Sequence, residues 1–247
     1  MVLKMDATSK VVPILFTNME YFGHAIVYAL KLILTLDPEV LTVTLTSLKV
    51  STTAALLASI IGVPIGFLIG ISKFTGRGLV ITLFNTLMAL PTTVVGLFGY
   101  AFLTRQGPFG PLQLLFTPMA IILGQCILAT PIIIALTVSA TQGVDPRIRR
   151  TAIVLGANSL QSAITLFSEA RFALTAAVVA GFGRVIGEVG IAMMLGGNIK
   201  GFTRTLPTAI ALEVSKGEFG FGLALGIILM TVALSVNFFL RFLQSKR

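Results

Sequence analysis

Five stretches of this chain are apolar for long enough to cross a bilayer, and short polar gaps punctuate them. They lie at about residues 40–72, 79–103, 115–141, 171–196 and 219–241, and a helix needs about 20 apolar residues to traverse the hydrocarbon core. The pattern predicts five membrane-spanning helices. Asp37-Pro38-Glu39 marks a capped start for the first, because Asp accepts from free first-turn N–H groups and Pro needs none. Pro91 in the second stretch, and Pro118 and Pro131 in the third, predict kinks, since each proline removes a helical hydrogen bond. A threonine pair, Thr92 and Thr93, follows the Pro91 kink. Residues 1–19 are mixed. Residues 20–36 carry Tyr21, Phe22, Ile26, Val27, Leu30, Ile33 and Leu34 at helical spacing around His24 and Lys31. That favours a helix lying in the membrane interface, with a sixth crossing as the alternative.

Two of the gaps are unusual. Gly143 to Asn158 opens with Asp145-Pro146, another capped start, and continues as a compact helix. Arg147, Arg149 and Arg150 fall near its start, where cations oppose the helix dipole, so helix stability does not account for them. A cytoplasmic loop rich in basic residues would. The second gap follows Arg184 and Glu188, which stand four apart and can pair on one helix face at membrane depth. Such a pair serves either as a satisfied structural contact or as part of a polar path. Gly196 to Pro207 then breaks the helix, and Ala209 to Val214 leaves room for a short helix before Lys216-Gly217. A helix, a break and a half-helix suggest a re-entrant or surface segment lining a cavity.

Composition narrows the function. Of 247 residues 55% are hydrophobic and 11% charged, with a mean hydropathy of +0.99; soluble domains carry roughly 25% charged residues. The net charge of +9 sits in short gaps between apolar runs, which argues for membrane orientation over nucleic-acid binding. With the Gly143–Asn158 gap placed inside, the inner set is Lys73, Arg77, Arg147, Arg149, Arg150, Arg241, Lys246 and Arg247, against Arg105, Lys200, Arg204 and Lys216 outside. This orientation puts the C-terminus in the cytoplasm. One cysteine, Cys126, and one histidine, His24, exclude an internal disulfide and a multi-ligand Cys/His metal site. No lysine follows a glycine, so there is no phosphate-cradling ATP loop. Gly181, Gly183 and Gly187 read as close-approach positions between helices. No nucleophile–base constellation is visible, which disfavours an enzyme.

The segment around Arg150-Thr151-Ala152, Gly156 and Leu166-Phe167-Ser168-Glu169 resembles the coupling loop of ABC-importer permeases: Glu-Ala-Ala, three residues, Gly, nine residues, Ile-x-Leu-Pro. Ala152, Gly156 and Leu166 match; Arg150 replaces the acidic residue, and the final Leu-Pro is absent. Asp37-Pro38-Glu39 with Ser47-Leu48-Lys49-Val50, Gly187-Glu188-Val189-Gly190, Asn198-Ile199 and Thr203-Arg204-Thr205 resemble the molybdate/tungstate/sulfate branch. Ser215-Lys216-Gly217-Glu218-Phe219 and the N-terminal segment are most similar to tungstate-transporter permeases. The resemblance covers about residues 37–243.

It implies an all-α integral membrane protein with the type I ABC-importer fold: five transmembrane helices plus the N-terminal amphipathic helix. Residues 1–36 would be an N-terminal extension and 37–247 the permease domain, with a cytoplasmic coupling loop over 142–170. The implied function is ATP-driven oxyanion import, tungstate first and molybdate or sulfate as alternatives; an ATPase-independent channel or carrier, or a membrane scaffold, are competing classes. The implied partners are a second copy of the chain, an ABC ATPase dimer holding ATP and Mg²⁺, and an extracytoplasmic oxyanion-binding protein; the chain itself needs no cofactor. Arg150, Thr151, Ala152, Gly156 and Leu166 would couple to the ATPase, where a side chain at Gly156 would push the docking helix away. Thr92, Thr93, Arg184, Glu188 and Asn198 are the candidate contacts along the translocation path.

Overall fold

The computed structural model describes residues 23, 26–28, 30–35 and 37–245, which form helices and turns with no strand among them. In chain order the helices are α1 (Pro38–Ile71), α2 (Arg77–Leu87), α3 (Thr92–Leu103), α4 (Pro118–Gln142), α5 (Pro146–Val154), α6 (Ser159–Ile186), α7 (Gly190–Gly196), α8 (Leu206–Lys216) and α9 (Phe219–Ser245). α1, α4, α6 and residues 219–236 of α9 are long and apolar enough to cross a membrane, and α2 with α3 would make a fifth span. The predicted helix over 20–36 lies partly outside the described residues; residues 30–34 are helical, and Leu32 packs with Val40, Val43, Leu206 and Leu225.

α1 starts as its sequence requires. The Asp37 carboxylate accepts from the backbone N–H groups of Glu39 (2.9 Å) and Val40 (3.2 Å), and Pro38 takes the first helical turn. Its 34 residues make a rod about 51 Å long, more than the hydrocarbon core requires. α4 lies against it in the same direction. A Cβ built on Gly66 would come within 2.7 Å of both the Ile134 carbonyl oxygen and the Thr137 Cβ, and one on Gly70 within 2.6 Å of the Thr141 Cβ. Gly62 meets Ile133 in the same way. Three glycines at four-residue spacing thus let two backbones approach, which is how helices associate in a medium that supplies no hydrophobic drive. Gly66→Ala is therefore expected to destabilise the bundle by about 1–3 kcal/mol through overpacking. In detergent its melting temperature should fall below that of Gly78→Ala, where no atom lies within 4 Å of the new methyl.

Two spans differ from expectation. The second is broken, not kinked: α2 and α3 meet at 91°. Pro91 is held at φ −63° and disfavours helical geometry at Leu90, while Ala89 and Leu90 close tight turns onto Thr86 and Leu87. The fourth begins at Ser159, not near residue 171, and ends at Ile186. Asn158 and Gln161 cap its start reciprocally, at 2.8 and 2.9 Å. Ser162, Leu166, Ala170 and Leu174 recur every four residues on its buried face, with Glu169 and Arg171 outward. Those two charges had concealed a helix that is apolar on one side only. At its far end the backbone pauses at Gly187–Val189 and resumes as α7.

Candidate functional site

Both helix breaks lie at the same place. Thr92 opens α3 immediately after the Pro91 break, and no side chain caps that helix. Gly190 opens α7 after the second break. A Cβ on Gly190 would lie 3.2 Å from Thr92 Oγ1, 3.3 Å from Glu188 Oε1 and 3.6 Å from Thr93 Cγ2. A side chain here would need the Thr92 hydroxyl and Glu188 carboxylate to give by a few tenths of an ångström. Glu188 lies beyond the end of α6, not on its face as the four-residue spacing suggested. Its carboxylate still turns back to Arg184, with Nη1 donating to Oε2 at 2.9 Å. The other oxygen, Oε1, accepts from the Ile191 backbone N–H at 3.3 Å, so one buried carboxylate bridges the end of α6 and the start of α7. Its side chain is 4% exposed, whereas that of Arg184 is 40% exposed. The guanidinium is reachable but already neutralised.

Depth follows from α4. Gln125 is buried and donates from Nε2 to the Val185 carbonyl at 3.1 Å, a second hydrogen bond on an oxygen that also accepts from the Glu188 N–H at 3.2 Å. Gln125 is seven residues into α4, about 10 Å along its axis. The Arg184–Glu188 pair is therefore inside the span, where an ionisable pair is costly unless it faces polar surroundings. Of the five path candidates, the structure brings Thr92, Thr93, Arg184 and Glu188 together. Asn198 sits apart, beyond the other end of α7, at φ +50° and donating to the Thr208 carbonyl at 3.3 Å. Sequence reasoning missed Gly190 and Gln125. The signals were there: two glycines bracketing a charge, and a lone amide in an apolar run.

The second site is α5, the compact helix expected between the third and fourth spans. Asp145 accepts from the Arg147 N–H at 2.8 Å and Pro146 starts the helix. Gly156 ends it at φ +85°, with its N–H bonded to the Ile153 carbonyl and that of Ala157 to the Ala152 carbonyl, an αL closure that glycine alone enters freely. Arg150 and Thr151 are exposed and Ala152 is half-buried. Val154 and Leu155 are 85% and 81% exposed, with Ile153 and Leu160 beside them in sequence and also exposed. α5 has nine residues, too few to cross a membrane, so this apolar knob has the character of a protein contact. Leu166 is not part of it. It is buried two turns into α6, near the Phe67–Phe167 ring contact, whose centroids are 5.2 Å apart.

A short helix with an exposed apolar knob thus hangs from a bundle of membrane-length helices. Residues 62–247 match the family of binding-protein-dependent transport system inner membrane components. The chain belongs to this family. It is an all-α, multi-pass inner-membrane permease with the type I ABC-importer fold. Among its relatives, the tungstate uptake system permease protein TupB of Peptoclostridium acidaminophilum is 37% identical over 92% of this chain and all of that protein. The corresponding Campylobacter jejuni protein is 38% identical over 89% of this chain and 92% of its own length. A Haloferax volcanii protein named "Probable anion ABC transporter permease protein" is 42% identical over 79% and 86%. Permeases named for molybdenum transport match at 25 to 31%. In this permease the paired breaks form the polar spot within the spans.

Proposed function

We propose that this permease carries tungstate inward as the membrane-spanning subunit of an ATP-driven importer. The observation that carries the reading is the match to tungstate uptake permeases across nearly the whole chain. The chemistry of the paired breaks supports it. A dianion crossing a membrane needs polar hydroxyls and a cation to offset its desolvation, yet a strong cationic trap would hold it. Thr92 and Thr93 supply hydroxyls, and Arg184 supplies a guanidinium whose charge Glu188 balances.

In this reading two copies of the chain form the path between them, with residues 37–247 as the permease domain and 1–36 as an extension. The segment 142–170 is cytoplasmic, and α5 inserts its Val154–Leu155 knob into a separate ATPase subunit that holds ATP and Mg²⁺. Arg150, Thr151, Ala152 and Gly156 present and shape that helix, while Leu166 anchors its return into the bundle. An extracytoplasmic protein delivers the oxyanion, and the C-terminus lies in the cytoplasm. Deleting the gene should lower cellular tungsten at nanomolar external tungstate, and the cloned gene should restore it. Loss of molybdenum in place of tungsten would make molybdate the substrate and keep the permease.

A further inference from the structure

Two adjoining cavities beside α3 are opposite in character. Val94, Phe98 and Phe102 recur every four residues along α3, and with Leu123 and Ile127 of α4 they line a groove of about 420 Å³. Every side chain lining this groove is apolar. Where α3 ends, the groove meets a second cavity of about 720 Å³, and Leu103 belongs to the wall of both. Thr104, Arg105, Gln106 and Gln113 line the second one. Tyr100 lines it as well, and tyrosine is a residue type that collects at the level of lipid headgroups.

The polar end carries a cation that the protein does not neutralise. Arg105 is exposed, and its guanidinium makes no ion pair or hydrogen bond among the described residues. No Asp or Glu occurs between Glu39 and Asp145. The segment that holds this cation is folded tightly on itself. Phe109 N–H donates to the Phe102 carbonyl and Gly110 N–H to the Gly107 carbonyl, each at 3.0 Å. A Cβ on Gly110 would lie 2.6 Å from the carbonyl oxygens of Thr104 and Arg105. Farther along, Phe116 N–H donates to the Leu195 carbonyl at 2.8 Å, which ties the loop to the end of α7.

Depth and polarity together select the occupant. From Val94 to Leu103 is about 14 Å along the helix, close to the roughly 15 Å of hydrocarbon in one leaflet. A free anion would leave the apolar groove unexplained, and a packed apolar helix would leave the unpaired cation unexplained. An amphiphile with a negative head fits both. We infer that α3, α4 and the loop between them form a binding site for an anionic phospholipid, with an acyl chain in the groove and the phosphate on Arg105 beside the Gln106 and Gln113 amides. Because the lipid binds only the folded protein, its headgroup charge then sets part of the stability of the permease.

The test uses the detergent-purified permease–ATPase complex, stripped of lipid and given phosphatidylglycerol or phosphatidylcholine with the same acyl chains. Phosphatidylglycerol is expected to stay bound in native mass spectrometry and to raise the melting temperature more than phosphatidylcholine does. Arg105→Gln should weaken its binding about five-fold or more, the contribution of one cation beside an anionic lipid. Leu123→Trp, which fills the groove and keeps Arg105, should abolish retention. Photoreactive benzoylphenylalanine in place of Phe98, which is 61% exposed, should yield an adduct of lipid mass. A permease–permease product at that position overturns the site and gives the groove to a second copy. Equal retention of the two lipids overturns it too, as does parental affinity in Arg105→Gln. Inorganic phosphate that stabilises the parent and Leu123→Trp as well as phosphatidylglycerol stabilises the parent would make Arg105 a free-anion site and end the lipid assignment. None of these readouts involves tungstate, so the substrate reading stands or falls separately.

Discussion

In a Gly156→Leu permease, oxyanion uptake is expected to fall about ten-fold or more while the complex continues to hydrolyse ATP. The reason lies first in the backbone. Gly156 sits at φ +85°, and forcing a side-chain-bearing residue into left-handed geometry costs roughly 1–2 kcal/mol, near a factor of ten in the population of the correct turn. Within the chain, no atom lies within 4 Å of a Cβ at this position, so internal crowding adds nothing. A series separates this cause from crowding against the ATPase. If φ decides, Asn should outperform Ala, because Asn tolerates the left-handed region; if space decides, Ala should outperform Asn. The measurement is uptake per ATP hydrolysed in proteoliposomes, and Leu uptake at the parental ratio would remove Gly156 from coupling altogether.

The bundle was legible because lipid imposes one demand on each span, and the apolar runs at 40–72, 115–141 and 219–241 answer it without ambiguity. Polar starts were legible for a local reason: Asp37-Pro38 and Asp145-Pro146 satisfy backbone donors within three residues, so no tertiary knowledge is needed. The errors fell where a helix is only half apolar or only half continuous. Glu169 and Arg171 lie on the outer face of α6 and made its first turns look like loop. At Pro91, sequence shows that a hydrogen bond is lost but not whether the neighbours restore a kinked helix or accept a right-angled break. That choice depends on tertiary contacts such as those of α7 with α3 and α4, which the local sequence does not display.

The site divides the same way. Thr92, Thr93, Arg184 and Glu188 were each visible as polar residues in apolar runs, the one signal that survives without an alignment. Their meeting was not visible, because it depends on two breaks separated by nearly a hundred residues closing on Gly190. Asn198 was grouped with them, yet it serves the loop at the far end of α7, where it donates to the Thr208 carbonyl.

The Glu188→Gln permease is expected to bind its oxyanion and not let it go. In the parent, the Arg184 charge is offset at 2.9 Å by a carboxylate that is 4% exposed. Glutamine keeps the shape and can still accept from the Ile191 N–H, but it leaves the guanidinium unbalanced within the span. Unit charges 4 Å apart at an effective dielectric of 20 attract by about 4 kcal/mol, and a dianion would feel more. Exposure of Arg184 reduces this, yet a residual 1–2 kcal/mol would lengthen residence about ten-fold. Uptake should therefore drop by at least that factor while purified Glu188→Gln permease retains tungstate. Arg184→Gln should also lose uptake, without retention, because Glu188 then repels the substrate. The double Arg184→Gln/Glu188→Gln variant separates charge balance from scaffolding. If balance is the requirement, its uptake recovers above either single variant; if the pair only fastens α6 to α7, its melting temperature and uptake both stay low. Parental uptake by Glu188→Gln would take the pair off the path.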